Sequence, residues 1–341
     1  MINQIYRLVS PRQFEVTYID ESIDAEKLVI RPTHLSICAA DQRYYTGTRG
    51  EEAMKKKLPM ALIHEGVGEV AYDPKGILQP GTKVVMVPNN PTEQDEFIAE
   101  NYLTTSQFAS SGYDGFMQDY IFLERSRIVV LPDDINMHVA AFTELVTIAT
   151  HAITRFEQKS IKRRESFGVW GDGNLGFITA LLLKKLYPEC IVILFGKTEY
   201  KISHFSFVDE TYNIRSIPAN LQIDHGFECV GGRGSGMAID QMIDHIKPEG
   251  TMSILGVSEY PVEINTRMIL EKGLVMIGSS RSGVVDFQRT VEIYREHPEI
   301  VDYLSILVGE ILNVNTINDV IKTFEQDLSS SWGKTVMEWE I

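Results

Sequence analysis

The chain has 341 residues, a formal net charge of −15, 44% hydrophobic residues and 23% charged residues. That length suits two domains, and the composition is that of a globular protein. The acidity argues against sequence-independent nucleic-acid binding and against docking on anionic membranes, and no run approaches the roughly 20 apolar residues that span a bilayer.

Three cysteines, Cys38, Cys190 and Cys229, give no disulfide framework and suit a reducing compartment. The first residues carry no apolar signal core, so a cytoplasmic location is expected.

Residues 1 to about 145 read as short strands separated by turns, with strand-like runs at 27–32, 68–73, 83–88 and 127–132. Many short strands without regular helices predict a partly open barrel. Residues 137–156 carry apolar positions at helical spacing, including Val139, Phe142, Val146 and Ile153. From about 166 the pattern alternates: strand 167–170, helix 177–187, strand 190–195, strand 225–230, helix 238–246, and strands at 251–256 and 274–278. This is the βαβ signature of a doubly wound parallel sheet, so the fold class is α/β. A helix at 286–297 and a returning strand at 334–339 follow. The expected domains are therefore 1–145, completed by 285–341, and 146–284. Cys190 and Cys229 fall in predicted strands and read as core.

Gly171, Gly173 and Gly176 fit G-x-G-x-x-G between a strand and a helix. The first glycine permits the tight turn, the second lets backbone approach a pyrophosphate, and the third lets helix and strand pack closely. Asn174 and Leu175, inside the loop, are candidate cofactor contacts, and the N-terminal N–H groups of the helix that follows favour phosphate. The competing reading is a purely structural glycine turn. Asp172 is unexpected, because an anion beside a pyrophosphate is unfavourable unless it points away. At the end of the next strand Gly196 leaves room and Lys197 can meet a 2′-phosphate, which favours NADP(H). Glu199 keeps NAD(H) open, as a ribose binder in a shifted register.

Cys38, His64, Glu65 and Glu144 offer a thiolate, an imidazole and two carboxylates, all accepted zinc ligands. Taken singly, each has an ordinary reading: a small buried hydrophobe, a turn histidine, a surface carboxylate. No spacing rule makes them converge.

Their order along the chain resembles the zinc-dependent medium-chain dehydrogenase/reductase family over nearly all 341 residues. The points of resemblance are Cys38-Ala39-Ala40-Asp41, the segment 59–70 around His64-Glu65, Gly81-Thr82-Lys83-Val84, the segment 114–120, Thr143-Glu144-Leu145, the glycine loop and Glu228-Cys229-Val230-Gly231-Gly232. The resemblance implies a GroES-like partly open β-barrel catalytic domain and a Rossmann domain. It implies Cys38 and His64 as zinc ligands, Glu65 as a ligand or immediate neighbour, and Glu144 in the place of the third ligand, directly or through water.

Four departures stand out. Ile63 replaces the glycine usual before the His-Glu pair. Leu145 replaces a common proline. The segment 89–112 lacks the four cysteines of the family's structural zinc lobe, so one catalytic zinc and no structural zinc is expected. Ala40 replaces the hydroxyl residue that relays the proton, which leaves water, Tyr44, Tyr45 or Glu65 for that task.

Within the family, the combination of Cys-Ala-Ala-Asp, Gly-Asp-Gly-Asn-Leu-Gly and a basic residue after the second strand is similar to a branch acting on a phosphorylated ketopentose. It implies reduction of D-ribulose 5-phosphate to D-ribitol 5-phosphate by NADPH, for ribitol teichoic acid precursors of the cell wall. Arg43, Arg49 and Lys55-Lys56-Lys57 are candidate cations for the sugar phosphate, against a solvated loop for the lysine run. A homodimer is implied, and a ribitol-5-phosphate cytidylyltransferase as partner. The alternatives are a polyol or alcohol dehydrogenase with an unphosphorylated substrate, a zinc-free quinone reductase, and a non-enzymatic protein on this fold. Cys38 and His64 argue against the quinone reductase, and the retention of all four candidate metal residues argues against the non-enzymatic protein.

Overall fold

A computed structural model describes residues 1–341. The chain divides into two compact units, Met1–Leu145 with Ser282–Ile341, and Val146–Arg281.

The first unit is built on a seven-stranded sheet. Its path runs Ile128–Val130, Lys83–Met86, Glu65–Tyr72, Lys27–Ser36, Lys334–Trp339 and Val308–Val314, with Ile121–Glu124 also paired to Lys27–Ser36. A three-stranded sheet, Gln13–Asp20, Ile2–Ser10 and Met60–Ala61, packs its apolar residues into the same core. The returning strand Lys334–Trp339 lies antiparallel to Lys27–Ser36, with Val336 opposite Ser36 and Glu338 opposite His34. It is buried along most of its length because it sits inside the sheet. Trp339 packs edge-on against Tyr6 at 5.3 Å, and Phe324 stacks on Tyr45 at 4.6 Å. The last 60 residues of the chain thus belong to the unit that the first 145 begin.

Two expectations for this unit need correction. The helix expected over 137–156 is two helices, Met137–Ala140 and Thr143–Lys159. Val139, Phe142 and Val146 are all buried, so the apolar spacing continues across the break and periodicity could not reveal it. The lysine run is not a loop. It forms the last turn of a helix, Glu51–Lys57, whose first turn is acidic, a charge order that complements the helix dipole.

The second unit holds a six-stranded parallel sheet in the order Glu210–Asn213, Ile191–Gly196, Ser166–Trp170, Ile223–Glu228, Ile246–Ile254, Val275–Gly278. In chain order this is 3-2-1-4-5-6, the dinucleotide-binding arrangement. Ser166–Trp170 is buried throughout, as a central parallel strand covered on both faces must be. Cys229 is buried, but Cys190 precedes its strand and is only half-buried, its thiol donating to the Arg164 carbonyl. The fully buried Asp224 ties two strands together. It accepts the N–H groups of Glu165 and Ser166 at 2.7 and 3.1 Å and meets Arg163 and Lys247 at 2.8 and 3.0 Å.

Asp224→Ala leaves those two N–H groups unpaired, at about 1–3 kcal/mol each. The expected result is a urea midpoint for the second unit lowered by an amount equivalent to about 3 kcal/mol. An unchanged midpoint would show that this carboxylate does not hold the strands.

Candidate active site and dinucleotide site

The strand Lys27–Ser36 delivers Cys38 to the start of a short helix, Ala39–Tyr45. Cys38 caps that helix: the Ala40 N–H donates to its Sγ at 3.2 Å, and Asp41 Oδ2 accepts the Cys38 N–H at 3.2 Å. His64 stands just before the strand Glu65–Tyr72. Cys38 Sγ and His64 Nε2 are 3.4 Å apart, and the ligand atoms of Cys38, His64 and Glu65 all lie within 4.8 Å of one another.

The residue before His64 explains part of this geometry. Ile63 adopts φ +70°, a left-handed conformation that glycine accepts and a β-branched residue resists. It is held there by surrounding bonds. Its N–H donates to Asp41 Oδ1 at 3.1 Å, its carbonyl accepts from the Phe116 N–H at 2.7 Å, and its side chain is fully buried. The departure from glycine changes the residue while the backbone keeps a glycine-like conformation.

Asp41 organises the floor of the cluster. Oδ1 accepts from Ser110 at 2.8 Å and lies 3.7 Å from His64 Nδ1. Burial works to raise the Asp41 carboxyl, but the charge of His64 and the hydrogen bonds from Ser110 and Cys38 hold it at about 2. Burial opposes the charged form of His64, yet Cys38 and Asp41 raise it well above its ordinary range.

Glu65 is buried, and its Oε1 accepts from Lys334 Nζ at 2.9 Å; the same ammonium donates to the Ile37 carbonyl at 2.6 Å. Glu65 Oε2 has no hydrogen-bond partner. Glu144, in the first turn of Thr143–Lys159, is buried and lies outside the close three-residue group, but it feels the charges of His64, Glu65, Lys334 and Asp41. Burial pushes its carboxyl up to about 7 and the Cys38 thiol up to about 11, the latter reinforced by Asp41. Acidic groups therefore outnumber the cations that would keep them ionised. A divalent ion would supply that missing charge, and the thiolate, imidazole and carboxylate donors fit zinc.

Lys334 is the residue that sequence reasoning missed. It lies nearly 270 positions after Glu65, on a strand read only as a barrel closure. A lysine at the head of a strand of mostly apolar, buried residues carried no signal of an ion pair.

Other candidates are placed as follows. Tyr45 donates to Glu325 Oε1 at 2.7 Å. The Tyr44 hydroxyl accepts from Lys57 Nζ at 3.0 Å, and that ammonium also reaches Ser111 Oγ at 3.0 Å. Arg49 lies over the Tyr44 ring at 4.8 Å, while Lys55 pairs with Glu51 on the exposed helix face. The segment in the position of the zinc lobe is pinned without cysteines: Arg127 bonds the Asn89 carbonyl at 3.1 Å and Glu100 at 2.9 Å.

In the second unit the glycine loop joins Ser166–Trp170 to the helix Asn174–Leu186. Gly171 takes φ +129°, and a Cβ there would stand 2.9 Å from the Cys229 carbonyl. A Cβ on Gly176 would lie 1.8 Å from the Gly171 carbonyl oxygen. A Cβ on Gly173 would meet nothing within 4 Å, so this glycine faces open space, where a ligand can come close. The residue before this helix makes no side-chain cap hydrogen bond at the N-terminus that Asn174 and Leu175 begin, where the helix dipole favours phosphate. A cavity of about 390 Å³ adjoins, lined by Trp170, Gly171, Asp172, Gly173, Phe195 and Lys197 among others.

Asp172 turns toward the next strand's end, where Oδ2 accepts the N–H groups of Lys197 and Thr198 at 2.8 and 2.7 Å. Its charge is thus spent on shaping that turn. The room expected at Gly196 is a packing contact instead: a Cβ there would meet Ile202 at 2.5 Å, so the glycine admits Ile202. Glu199 accepts from Asn213 Nδ2 at 2.7 Å.

The alcohol dehydrogenase GroES-like domain family matches residues 24–133. The chain is 65% identical over 341 residues to ribulose-5-phosphate reductase of Bacillus spizizenii, covering 100% of both chains. It is 61% identical over 339 residues to ribulose-5-phosphate reductase 1 of Staphylococcus aureus, covering 99% of both. Among solved structures it is similar to S. aureus TarJ in complex with NADPH, with a TM-score of 0.91, 56% identity and 100% of both chains covered.

The two glycines make separable predictions. Gly173→Val is expected to leave the thermal midpoint within about 2 °C and weaken NADPH binding at least tenfold, read by fluorescence titration. Gly176→Val is expected to lower the midpoint itself. Equal effects on stability would contradict the open position at Gly173.

Proposed function

Because the chain belongs to the ribulose-5-phosphate reductase family of zinc-type medium-chain dehydrogenases, we propose that it reduces D-ribulose 5-phosphate to D-ribitol 5-phosphate with NADPH. The observation that carries this reading is full-length identity of 65% to a reductase of that name. The NADPH complex of TarJ, together with the uncapped glycine-loop helix and Lys197, supports the coenzyme.

The metal reading is a single catalytic zinc held by Cys38, His64 and Glu65, with Glu144 beside it, directly or through water. It is supported by the compact donor set, by the unpartnered Glu65 Oε2 and by the excess of buried acid. No structural zinc is proposed. When bound, zinc polarises the C2 carbonyl and NADPH supplies the hydride.

The chain's own residues hold these groups in place. Lys334 fixes one oxygen of Glu65, Asp41 sets the position of His64 through its Nδ1 side, and the Ala40 N–H tempers the charge on Cys38 Sγ. Ala40 offers no hydroxyl, while those of Tyr44 and Tyr45 are engaged by Lys57 and Glu325. With Glu65 committed to Lys334 and to the proposed zinc, the final proton is assigned to water. Arg49 and Lys57, which both contact Tyr44, are the proposed contacts for the sugar phosphate.

The product, a phosphate monoester of a pentitol, suits a nucleotidyltransferase, and a ribitol-5-phosphate cytidylyltransferase on the way to ribitol teichoic acid is the proposed consumer. The proposed place of action is the cytoplasm, in keeping with three free cysteines; no helix is long and apolar enough to cross a membrane.

A homodimer is proposed through the edge strand Val275–Gly278. It pairs on one side only, and Val275 and Met276 are 38% and 39% exposed. Sedimentation of the wild type as a dimer and of Met276→Asp as a monomer is expected; a monomeric wild type would remove the proposal.

The deciding assay is NADPH oxidation by zinc-replete protein with D-ribulose 5-phosphate, with free D-ribulose and NADH as parallel arms. Turnover confined to NADPH and the phosphorylated ketose is expected, with Arg49→Ala raising KM for that substrate about tenfold, the loss of one charge-assisted contact. Cys38→Ser is expected to lose both zinc and activity. Equal turnover of the free sugar favours a polyol dehydrogenase.

A further inference from the structure

His34 lies four residues before Cys38 on the way into the catalytic cluster, and Glu338 lies four residues after Lys334 on the neighbouring strand. The two are directly opposite in the antiparallel ladder, so their side chains leave the same face of the sheet. His138, in the helix Met137–Ala140, meets them there. Its Nε2 is 2.7 Å from Glu338 Oε1, and its ring stands edge-on to that of His34 with centroids 5.0 Å apart. The candidate ligand atoms of all three residues lie within 4.8 Å of one another.

We propose that His34, His138 and Glu338 form a second metal site, for a divalent transition cation of the zinc type, separate from Cys38, His64 and Glu65. Two imidazoles and one carboxylate are an accepted zinc donor set that leaves a fourth position for water. His34 Nδ1 is 3.1 Å from Thr33 Oγ1, which leaves Nε2 for the ion and supplies the outer contact that orients a ligating imidazole. The side chains of His138 and Glu338 are 28% and 31% exposed, so an ion can reach them from solvent.

Protonation of His34 does not compete at neutral pH. Burial, then the neighbouring His138, lowers His34 to about 4, with Glu338 opposing and Lys83 adding to the fall. Lys83 itself is tied back, its ammonium donating to the Asp133 carbonyl at 2.5 Å. Bonds of about 2.1 Å in tetrahedral array place ligand atoms about 3.4 Å apart. The present His138–Glu338 hydrogen bond must open by roughly 0.7 Å, a side-chain adjustment within reach of rotamer motion.

The three ligands come from positions 34, 138 and 338, so the ion cross-links segments distant in sequence. Two of them sit on the strand pair that also positions Cys38 and Lys334, four residues or roughly 13 Å further along. The role that follows is structural: an ion here clamps the sheet that carries the catalytic cluster. It is unrelated to the cysteine lobe that this chain lacks.

The test loads the enzyme with its catalytic zinc, adds ZnCl2, desalts, and counts metal per chain by mass spectrometry, with thermal midpoints in parallel. One additional equivalent is expected, with the midpoint raised by about 5 °C at about a hundredfold excess over Kd. His138→Gln and Glu338→Gln are each expected to lose that equivalent and the shift, while keeping the first zinc and turnover. Cys38→Ser is expected to keep the second equivalent, which separates this site from the catalytic one. Copper(II) substituted at the second site is expected to show coupling to two nitrogens by electron paramagnetic resonance. Should His138→Gln fail to fold, Glu338→Gln and the wild-type count still decide. No additional equivalent in the wild type, or its retention in the variants, would overturn the proposal.

Discussion

The arrangement of the first unit turns on one buried ion pair, Lys334 with Glu65. Both side chains are nearly inaccessible to water, and charges in such a place survive only if each has a close, well-oriented partner. Lys334 meets the requirement with two acceptors, Glu65 and the Ile37 carbonyl. The second of these bonds ties the ion pair to the segment that ends at Cys38. The closing strand is thus more than a sheet element, since without it Glu65 would be a lone buried carboxylate beside His64.

A second constraint follows from the first. Asp41, Glu65, Glu144 and Cys38 crowd around His64 and Lys334, and the two cations cannot neutralise four potential anions. Burial first, and then the like charge of Asp41 on the thiol and of Glu65 on the Glu144 carboxyl, push these two groups toward their protonated forms, to about 11 and about 7. A divalent cation bound in such a cluster would reverse both shifts by stabilising the ionised groups. The strained Ile63 belongs to the same economy of structure. Its left-handed backbone is held by Asp41 and Phe116, so the cost of an unfavourable residue is absorbed by the bonds that also set His64.

The second unit solves an easier problem. Backbone recognition of phosphate needs only a tight turn, close packing and a free helix N-terminus, and these are properties of short-range sequence. Asp172 shows how a local irregularity can mislead. Its neighbours in sequence suggest a clash with phosphate, whereas its carboxylate reaches 25 residues ahead to the Lys197 and Thr198 N–H groups.

What the sequence by itself determined is therefore whatever depends on local order: alternating strands, the glycine loop, the candidate donors Cys38, His64 and Glu65, and the α/β class. Only the tertiary structure decided which of those donors meet. It brought the ligand atoms of Cys38, His64 and Glu65 within 4.8 Å of one another, left Glu144 outside that group, filled the space at Gly196 with Ile202, and divided the helix at 141–142. It also introduced Lys334, and it set His34, His138 and Glu338 side by side. The physical reason is common to all of these. Periodicity reports which face of an element is buried, but an ion pair or a metal ligand set is fixed by strand register and chain return, and those bring together residues hundreds of positions apart.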